Sequence, residues 1–362
     1  VRVSYGYQGN VAENVSPDLI ATIVEDKENY DYKLALKDLP APDLKWEKTS
    51  NLNVGIDWSF FSNKISGSFE WYWKKTTDLV TELKVHYEHG VASRPVNGGK
   101  MTNTGWDANV GFTPVRTKNF VLSMGLTFSR VNNKLKSTIE PNKTWKEATT
   151  GNLNKDGYPV TSFWAFKFTG LNPEHGGPEF DTEGIETEEG LKDATVYMAY
   201  AGKMEPDFTT GLTLSIRYKT FSLSSGLYLS LGNQQFMAPP MDSFSSIPSE
   251  YENMSTEWLD RWRKPGDEKY TNVPSLPDKR TNALKWQAPS TEQMYPYAMY
   301  AYSVIRVVDV WYIRCGSISC SYTMPEKFLP NGLQNMSFSF SLSNPFQIRS
   351  KDFKGRDPEV AL

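Results

Sequence analysis

The sequence predicts an all-β fold: part of an antiparallel transmembrane β-barrel, with about nine membrane-crossing strands and long extracellular loops. Three observations predict it. Apolar residues recur with period two in segment after segment. Short and long connections between those segments alternate strictly. Finally, 11 Trp, 19 Tyr and 19 Phe occur in a chain of 362 residues that has no run of 18 apolar residues.

Each strand is justified by its alternation. Over 1–8, Val1, Val3, Tyr5 and Tyr7 alternate with Arg2, Ser4, Gly6 and Gln8. Leu52, Val54, Ile56, Trp58 and Phe60 share one face of the next segment, and Asn53, Gly55, Asp57 and Ser59 the other. Segment 65–74 sets Ile65, Gly67, Phe69, Trp71 and Trp73 against Ser66, Ser68, Glu70, Tyr72 and Lys74. The same pattern runs through 103–113, 120–129, 212–219, 221–231 and 336–342. A ninth strand over about 306–324 changes phase between Cys315 and Ile318, and a β-bulge near Gly316-Ser317 restores a single apolar face. The apolar faces, even residues of 52–60, 106–112 and 212–218 and odd residues of 65–73, are expected to meet lipid.

The connections separate a barrel from a soluble sandwich. Tight links at Ser62-Asn63-Lys64, Thr117-Lys118-Asn119 and Lys219-Thr220, and a somewhat longer one at 325–335, fit periplasmic turns. The long stretches 11–45, 80–100, 131–206 and 232–304 fit extracellular loops, and a sandwich gives no reason to gather every long loop at one end. By parity, 159–170 cannot cross the membrane and is expected as strand outside it. The chain reads as an internal piece of a longer protein, with a final inward strand expected after it.

Charge and motifs exclude several functions. Lys+Arg 39 against Asp+Glu 42 gives a net charge of −3, without the basic field of a nucleic-acid binder. Cys315 and Cys320 lie about 16 Å apart along an extended strand, too far for a disulfide, and read as small apolar wall residues. His86 and His89, three residues apart, fall on opposite faces of a strand and have no third ligand. The acidic run Glu179, Asp181, Glu183, Glu186, Glu188 and Glu189 lacks regular calcium-loop spacing and reads as a solvated loop. Asp57 and Glu70 read as wall polarity rather than a glycosidase pair. No catalytic constellation, metal site or cofactor motif is present.

The aromatics form two sets. Trp58, Trp71, Trp73, Trp106 and Tyr218 lie on apolar faces and fit lipid contact or an interfacial girdle. Trp145, Tyr158, Trp164, Trp258, Trp262 and Tyr270 lie in the long loops. These six are the candidate substrate-binding residues, with packing of loops or partner as the alternative role. Asn53, Asp57, Glu70, Asn109 and Arg217 are the candidate lumen-facing residues, mixed in charge.

Ordered motifs along nearly the whole chain resemble the SusC/RagA-like TonB-linked outer-membrane transporters. They are Arg2-Val3-Ser4-Tyr5-Gly6, Leu44-Lys45-Trp46-Glu47-Lys48-Thr49, Tyr72-Trp73-Lys74-Lys75-Thr76-Thr77-Asp78-Leu79, Asn103-Thr104-Gly105-Trp106 and Gly202-Lys203-Met204-Glu205-Pro206-Asp207-Phe208. Arg261-Trp262-Arg263-Lys264-Pro265-Gly266-Asp267, Ser321-Tyr322-Thr323-Met324-Pro325 and Gly355-Arg356-Asp357-Pro358-Glu359 complete the series. The resemblance implies the C-terminal portion of a barrel of about 22 strands, with the plug domain and the TonB-contacting segment outside this chain. It further implies an outer-membrane location, a SusD-like surface lipoprotein as partner, no cofactor, and TonB-powered import of an oligosaccharide or a peptide. A β-rich glycan-binding surface module is the reading from another class.

Overall fold

The computed structural model describes residues 1–11, 18–26, 31–86, 88, 90–91, 93–137, 143–151, 153–241, 249, 251, 253–283, 286–287, 293–330, 332–353 and 357–359. Strand β1 (Arg2–Asn10) leads into a hairpin of β2 (Ile20–Asp26) and β3 (Asp31–Asp38), then β4 (Glu47–Phe60), β5 (Ile65–Lys84), β6 (Ser93–Arg116) and β7 (Phe120–Ser137). Helix α1 (Trp145–Thr149) and the short strands β8 (Ser162–Phe166), β9 (Phe168–Leu171), β10 (Pro178–Phe180) and β11 (Met198–Lys203) follow. Next come β12 (Phe208–Tyr218), β13 (Phe221–Phe236), β14 (Trp286–Gln287), β15 (Gln293–Met294), helix α2 (Pro296–Ala301), β16 (Val307–Thr323), β17 (Ser337–Ser343) and β18 (Gln347–Arg349).

One antiparallel sheet in the order β1-β4-β5-β6-β7-β12-β13-β16-β17 forms the wall, with β18 also on β16. Because β17 and β18 pair with successive stretches of β16, they are two halves of one crossing, interrupted at Asn344 (φ 50°) and Pro345. No helix is long and apolar enough to cross a membrane.

The register shows why these residues make one wall. Val3, Val54, Trp71 and Trp106 lie side by side across four strands. So do Gly67, Val110, Leu126, Leu212, Leu227 and Cys315 across six. A one-residue slip anywhere would turn an apolar set to the polar side. At Gly67 a Cβ would come within 2.6 Å of the Trp58 ring on β4 and 2.4 Å of the Asn109 carbonyl on β6, so the close approach of both neighbours to β5 there needs glycine. The tight β4–β5 turn is closed by Phe61, Ser62 and Asn63, all at positive φ. On β16 the expected bulge is present: Gly226 pairs with Ser317 and Leu227 with Cys315, leaving Gly316 without a partner on β13. Ile313, Cys315, Ile318, Cys320 and Tyr322 thereby share one face, and both cysteines are free thiols.

The apolar face of the wall is open: Phe60 is 57% exposed and Phe340 64%. In water such a surface is untenable; in a bilayer it is the lipid contact. The buried core lies instead in the extracellular layer, where Trp145, Trp164, Phe166, Tyr197, Met198 and Met299 pack together.

The long loops are more ordered than their polarity indicates. Strands β5 and β6 continue to Lys84 and start at Ser93, so most of 80–100 is a tall hairpin rather than irregular loop. Segment 11–45 contains β2 and β3, while 131–206 and 232–304 begin as extensions of β7 and β13. Backbone pairing continues beyond the bilayer because strand N–H and C=O groups still need partners, but the alternation stops there because no lipid faces the side chains. Within 159–170, β8 pairs with β11 and β9 with β10, off the wall, as parity requires.

Candidate functional site

Two surfaces define the site: the polar face of the wall and the loop layer above it. On the wall, Asp57, Ser68, Asn109, Thr127 and Gly211 form one row, and Gly55, Glu70, Asp107, Ser129 and Thr209 the next. Asn53 stands opposite Tyr72, and Arg217 opposite Ser222 and Val121. The five nominated polar residues therefore lie on the face opposite the apolar one. Their pairing was not legible in sequence. Asp57 binds Arg2, with Nε to Oδ2 at 2.8 Å and Nη2 to Oδ1 at 3.0 Å. Glu70 faces Asp107 directly across the β5–β6 pair, and is only a diagonal neighbour of Asp57.

The end of the described chain folds against this polar face. Arg314 on β16 pairs with Asp357 and, at 3.2 Å, with Glu359. The Tyr312 hydroxyl donates to Glu359 at 3.1 Å and Gln235 Nε2 to the Pro358 carbonyl at 3.2 Å. Thus Asp357-Pro358-Glu359 is a strap across β13 and β16; Gly355 and Arg356 lie outside the described residues.

The loop layer has buried hydrophobic clusters of its own. Thr144 caps α1 with a reciprocal capping box to Glu147, which fixes Trp145 in the core. Trp164 on β8 is 2% exposed and meets Tyr158 at 5.3 Å and Tyr200 at 5.7 Å, both edge-on. Trp258 is buried, stacks on Tyr297 at 6.2 Å and donates its indole N–H to the Pro240 carbonyl at 2.8 Å. The Trp262 ring lies on Gly176 (φ +68°), where a Cβ would be only 2.3 Å away, and so joins the 131–206 and 232–304 segments. Trp145, Trp164, Trp258 and Trp262 thus have their rings packed inside the layer, and Tyr158 is half-buried beside them. Tyr270, 88% exposed, keeps an open ring face.

A cavity of about 630 Å³ opens at the outer end of β12. Its lining includes Tyr200, the Lys203–Asp207 ion pair and Gln234, whose Nε2 donates to Asp309 at 2.9 Å. Among the acidic candidates, Glu179 accepts from Asn172, Asp181 pairs with Lys167, and Glu188 pairs with Lys192. The run is spread over separate partners rather than gathered. His89 lies outside the described residues, and His86 is exposed.

Sequence reasoning missed two polar anchors of the loop layer, because their ion-pair partners lie far away along the chain. Arg306 is buried and grips Glu257, and Asp193 gathers four donors. Its Oδ1 accepts from the Thr195 N–H at 2.9 Å and hydroxyl at 2.7 Å, while Oδ2 faces Lys143 at 3.3 Å and Lys155 at 3.6 Å. Burial pushes the Asp193 carboxyl up, but the Thr195 hydrogen bonds and the two ammonium groups outweigh it and hold it below the ordinary range. A carboxyl lowered on folding contributes stability that is present above its unfolded value, about 3.9, and is lost as pH falls through the folded value. Acid titration below about pH 4 should therefore loosen the loop layer, read as a change in tryptophan fluorescence. Asp193→Asn should flatten that response and cost about 1–3 kcal/mol at neutral pH; an unchanged acid profile would count against this role.

These surfaces and this wall have counterparts in known proteins. The family model described as "TonB dependent receptor-like, beta-barrel" matches residues 1–229. The chain belongs to this family of outer-membrane β-barrels. It is 24% identical over 390 residues to TonB-dependent receptor P3 of Formosa agariphila, a match covering 99% of this chain and 35% of the relative. It is 25% identical over 335 residues to TonB-dependent receptor SusC of Bacteroides thetaiotaomicron, covering 88% of this chain and 30% of that protein. Among solved structures, that of the RagAB peptide transporter matches with a TM-score of 0.75 at 20% identity, over 99% of this chain and 38% of the other. The chain spans about a third of the length of the curated relatives it matches.

Proposed function

We propose that this chain supplies part of the wall and outer vestibule of a TonB-dependent importer of SusC/RagA type. In this reading it takes up an oligosaccharide together with a SusD-like surface lipoprotein, and TonB acts through a part of the protein outside this chain. The observation that carries it is the two-faced wall: an exposed apolar band on one side, and on the other hydroxyl and amide groups with Arg2, Asp57, Glu70, Asp107 and Arg217. A pore selecting a strongly charged solute calls for a ring of one sign, and this face has both. Neutral cargo rich in hydroxyls suits it. The family match and the apolar band support the importer over a soluble glycan-binding module.

The lumen-facing set Asn53, Asp57, Glu70, Asn109 and Arg217 belongs to this proposal. So does Tyr270 as an open stacking platform, with the other five loop aromatics holding the layer in shape. A peptide is the competing cargo, since the RagAB structure of like fold is that of a peptide transporter. Deleting the full-length gene and measuring growth on defined glycans and on peptides as sole carbon source decides. Loss of glycan growth with peptide growth intact is expected; the converse would replace the cargo and leave the barrel standing.

A further inference from the structure

Just beyond the apolar band, the outward face of four adjacent wall strands carries six cations. They are Lys48 on β4, Lys75 on β5, Lys100 on β6, and Arg130, Lys134 and Lys136 on β7. The register places them together. Val54, Trp71, Trp106 and Arg130 form one row, and Leu52, Trp73, Thr104 and Asn132 the next. Ser50, Lys75, Thr102 and Lys134 follow, and beyond them Lys100 stands directly opposite Lys136. With strands about 4.8 Å apart and a rise of about 3.3 Å per residue, the patch is roughly 15 Å wide and 20 Å tall. All six side chains are exposed.

Among the described residues none of the six is in an ion pair. Lys48 lies over the Tyr7 ring at 4.6 Å. The wall carboxylates Asp57, Glu70 and Asp107 are on the opposite face. Like charges directly opposite on neighbouring strands destabilise a sheet, and an anion bound between Lys100 and Lys136 would relieve that repulsion.

Position says which anion. Arg130 stands level with Trp71 and Trp106, and the five lysines lie four to six residues further outward on the same face; aromatic side chains of that kind mark the boundary between hydrocarbon and headgroups. It faces away from the polar side of the wall and so from the proposed cargo path. We propose that Lys75, Lys100, Arg130, Lys134 and Lys136, with Lys48 at the edge, bind the phosphate groups of an anionic outer-leaflet lipid headgroup. Lysines tolerate a mobile, variably placed phosphate as point charges, while Arg130 at the lower edge can grip one with its fork. This site rests on the membrane placement of the wall and is independent of the cargo.

The test uses the full-length protein in detergent, mixed with phosphorylated lipid A, with dephosphorylated lipid A, or with inorganic phosphate at matched phosphate concentration. Lipid retained per barrel is read by native mass spectrometry. The wild type should retain the phosphorylated lipid about fivefold over the dephosphorylated one, a preference that shrinks as salt rises. The variant K75Q/K100Q/K134Q/K136Q should lose that preference, whereas K64Q/K118Q/K219Q, at the opposite end of the wall, should keep it. Should the fourfold variant fail to fold, the wild-type preference and its salt dependence still decide. Equal retention of the two lipids, abolition of the preference by inorganic phosphate, or an unaltered fourfold variant would each overturn the proposal. Binding of an acidic protein with no lipid preference would do the same.

Discussion

Arg306→Ala should unfold the extracellular layer at a cost of about 3–5 kcal/mol while leaving the wall in place. Arg306 is 1% exposed, immediately before the outer start of β16. Its Nη1 donates to both Glu257 carboxylate oxygens at 3.1 Å, and its Nη2 to the Ala238 carbonyl. The guanidinium also lies 5.3 Å from the Tyr300 ring centre. Truncation strands a partly buried carboxylate and a carbonyl together and removes the packing on Tyr300. The penalty is that of uncompensated charge, not of one lost hydrogen bond. Arg306→Lys should recover only part of it, because an ammonium cannot span Glu257 and Ala238 in a plane. Limited proteolysis of the full-length protein is the measurement. Cleavage within 232–304 should accelerate, while the heat-dependent gel shift of a folded barrel persists. Unchanged cleavage would show that Arg306 does not hold the layer.

The residues that made this fold legible are those whose surroundings repeat. Lipid imposes one chemistry along the whole outward face, so Leu52 to Phe60, Phe120 to Phe128 and Phe221 to Leu231 each announce their strand, and a phase change at Gly316 could only be a bulge. Above the bilayer that constraint ends, which is why the extension of β6 back to Ser93 was hidden among Asn, Gly and Lys residues. The site was legible as a face but not as a set of contacts. Asn53, Asp57, Glu70, Asn109 and Arg217 followed from alternation, whereas Arg2–Asp57 is a pairing across 55 residues and Arg306–Glu257 across 49. The loop tryptophans illustrate the same limit. A Trp in a polar loop reads equally as a binding platform or as the seed of a local core, and only the Trp258 bond to Pro240 and the Trp262 seat on Gly176 reveal where those rings pack.

A charge on the apolar face tests the membrane reading itself. Leu214 is central in β12, between Met124 of β7 and Ser225 of β13, with Leu212 and Ile216 on the same face. Ser215, the next residue, turns to the polar face beside Ser123 and Ser224. If the apolar band meets hydrocarbon, Leu214→Arg buries a cation where neither water nor a carboxylate is at hand, and should cost about 2–4 kcal/mol near the midplane. Ser215→Arg places the same side chain on the polar face that already carries Arg217 and, if that face meets water, should be nearly neutral. The comparison places the same side chain at adjacent positions of one strand, so the main difference left is the medium it meets on each face. Folding titrations in lipid vesicles measure the difference. A gap of at least about 2 kcal/mol between the two variants is expected, and equal penalties would mean that the two faces of this wall meet the same solvent.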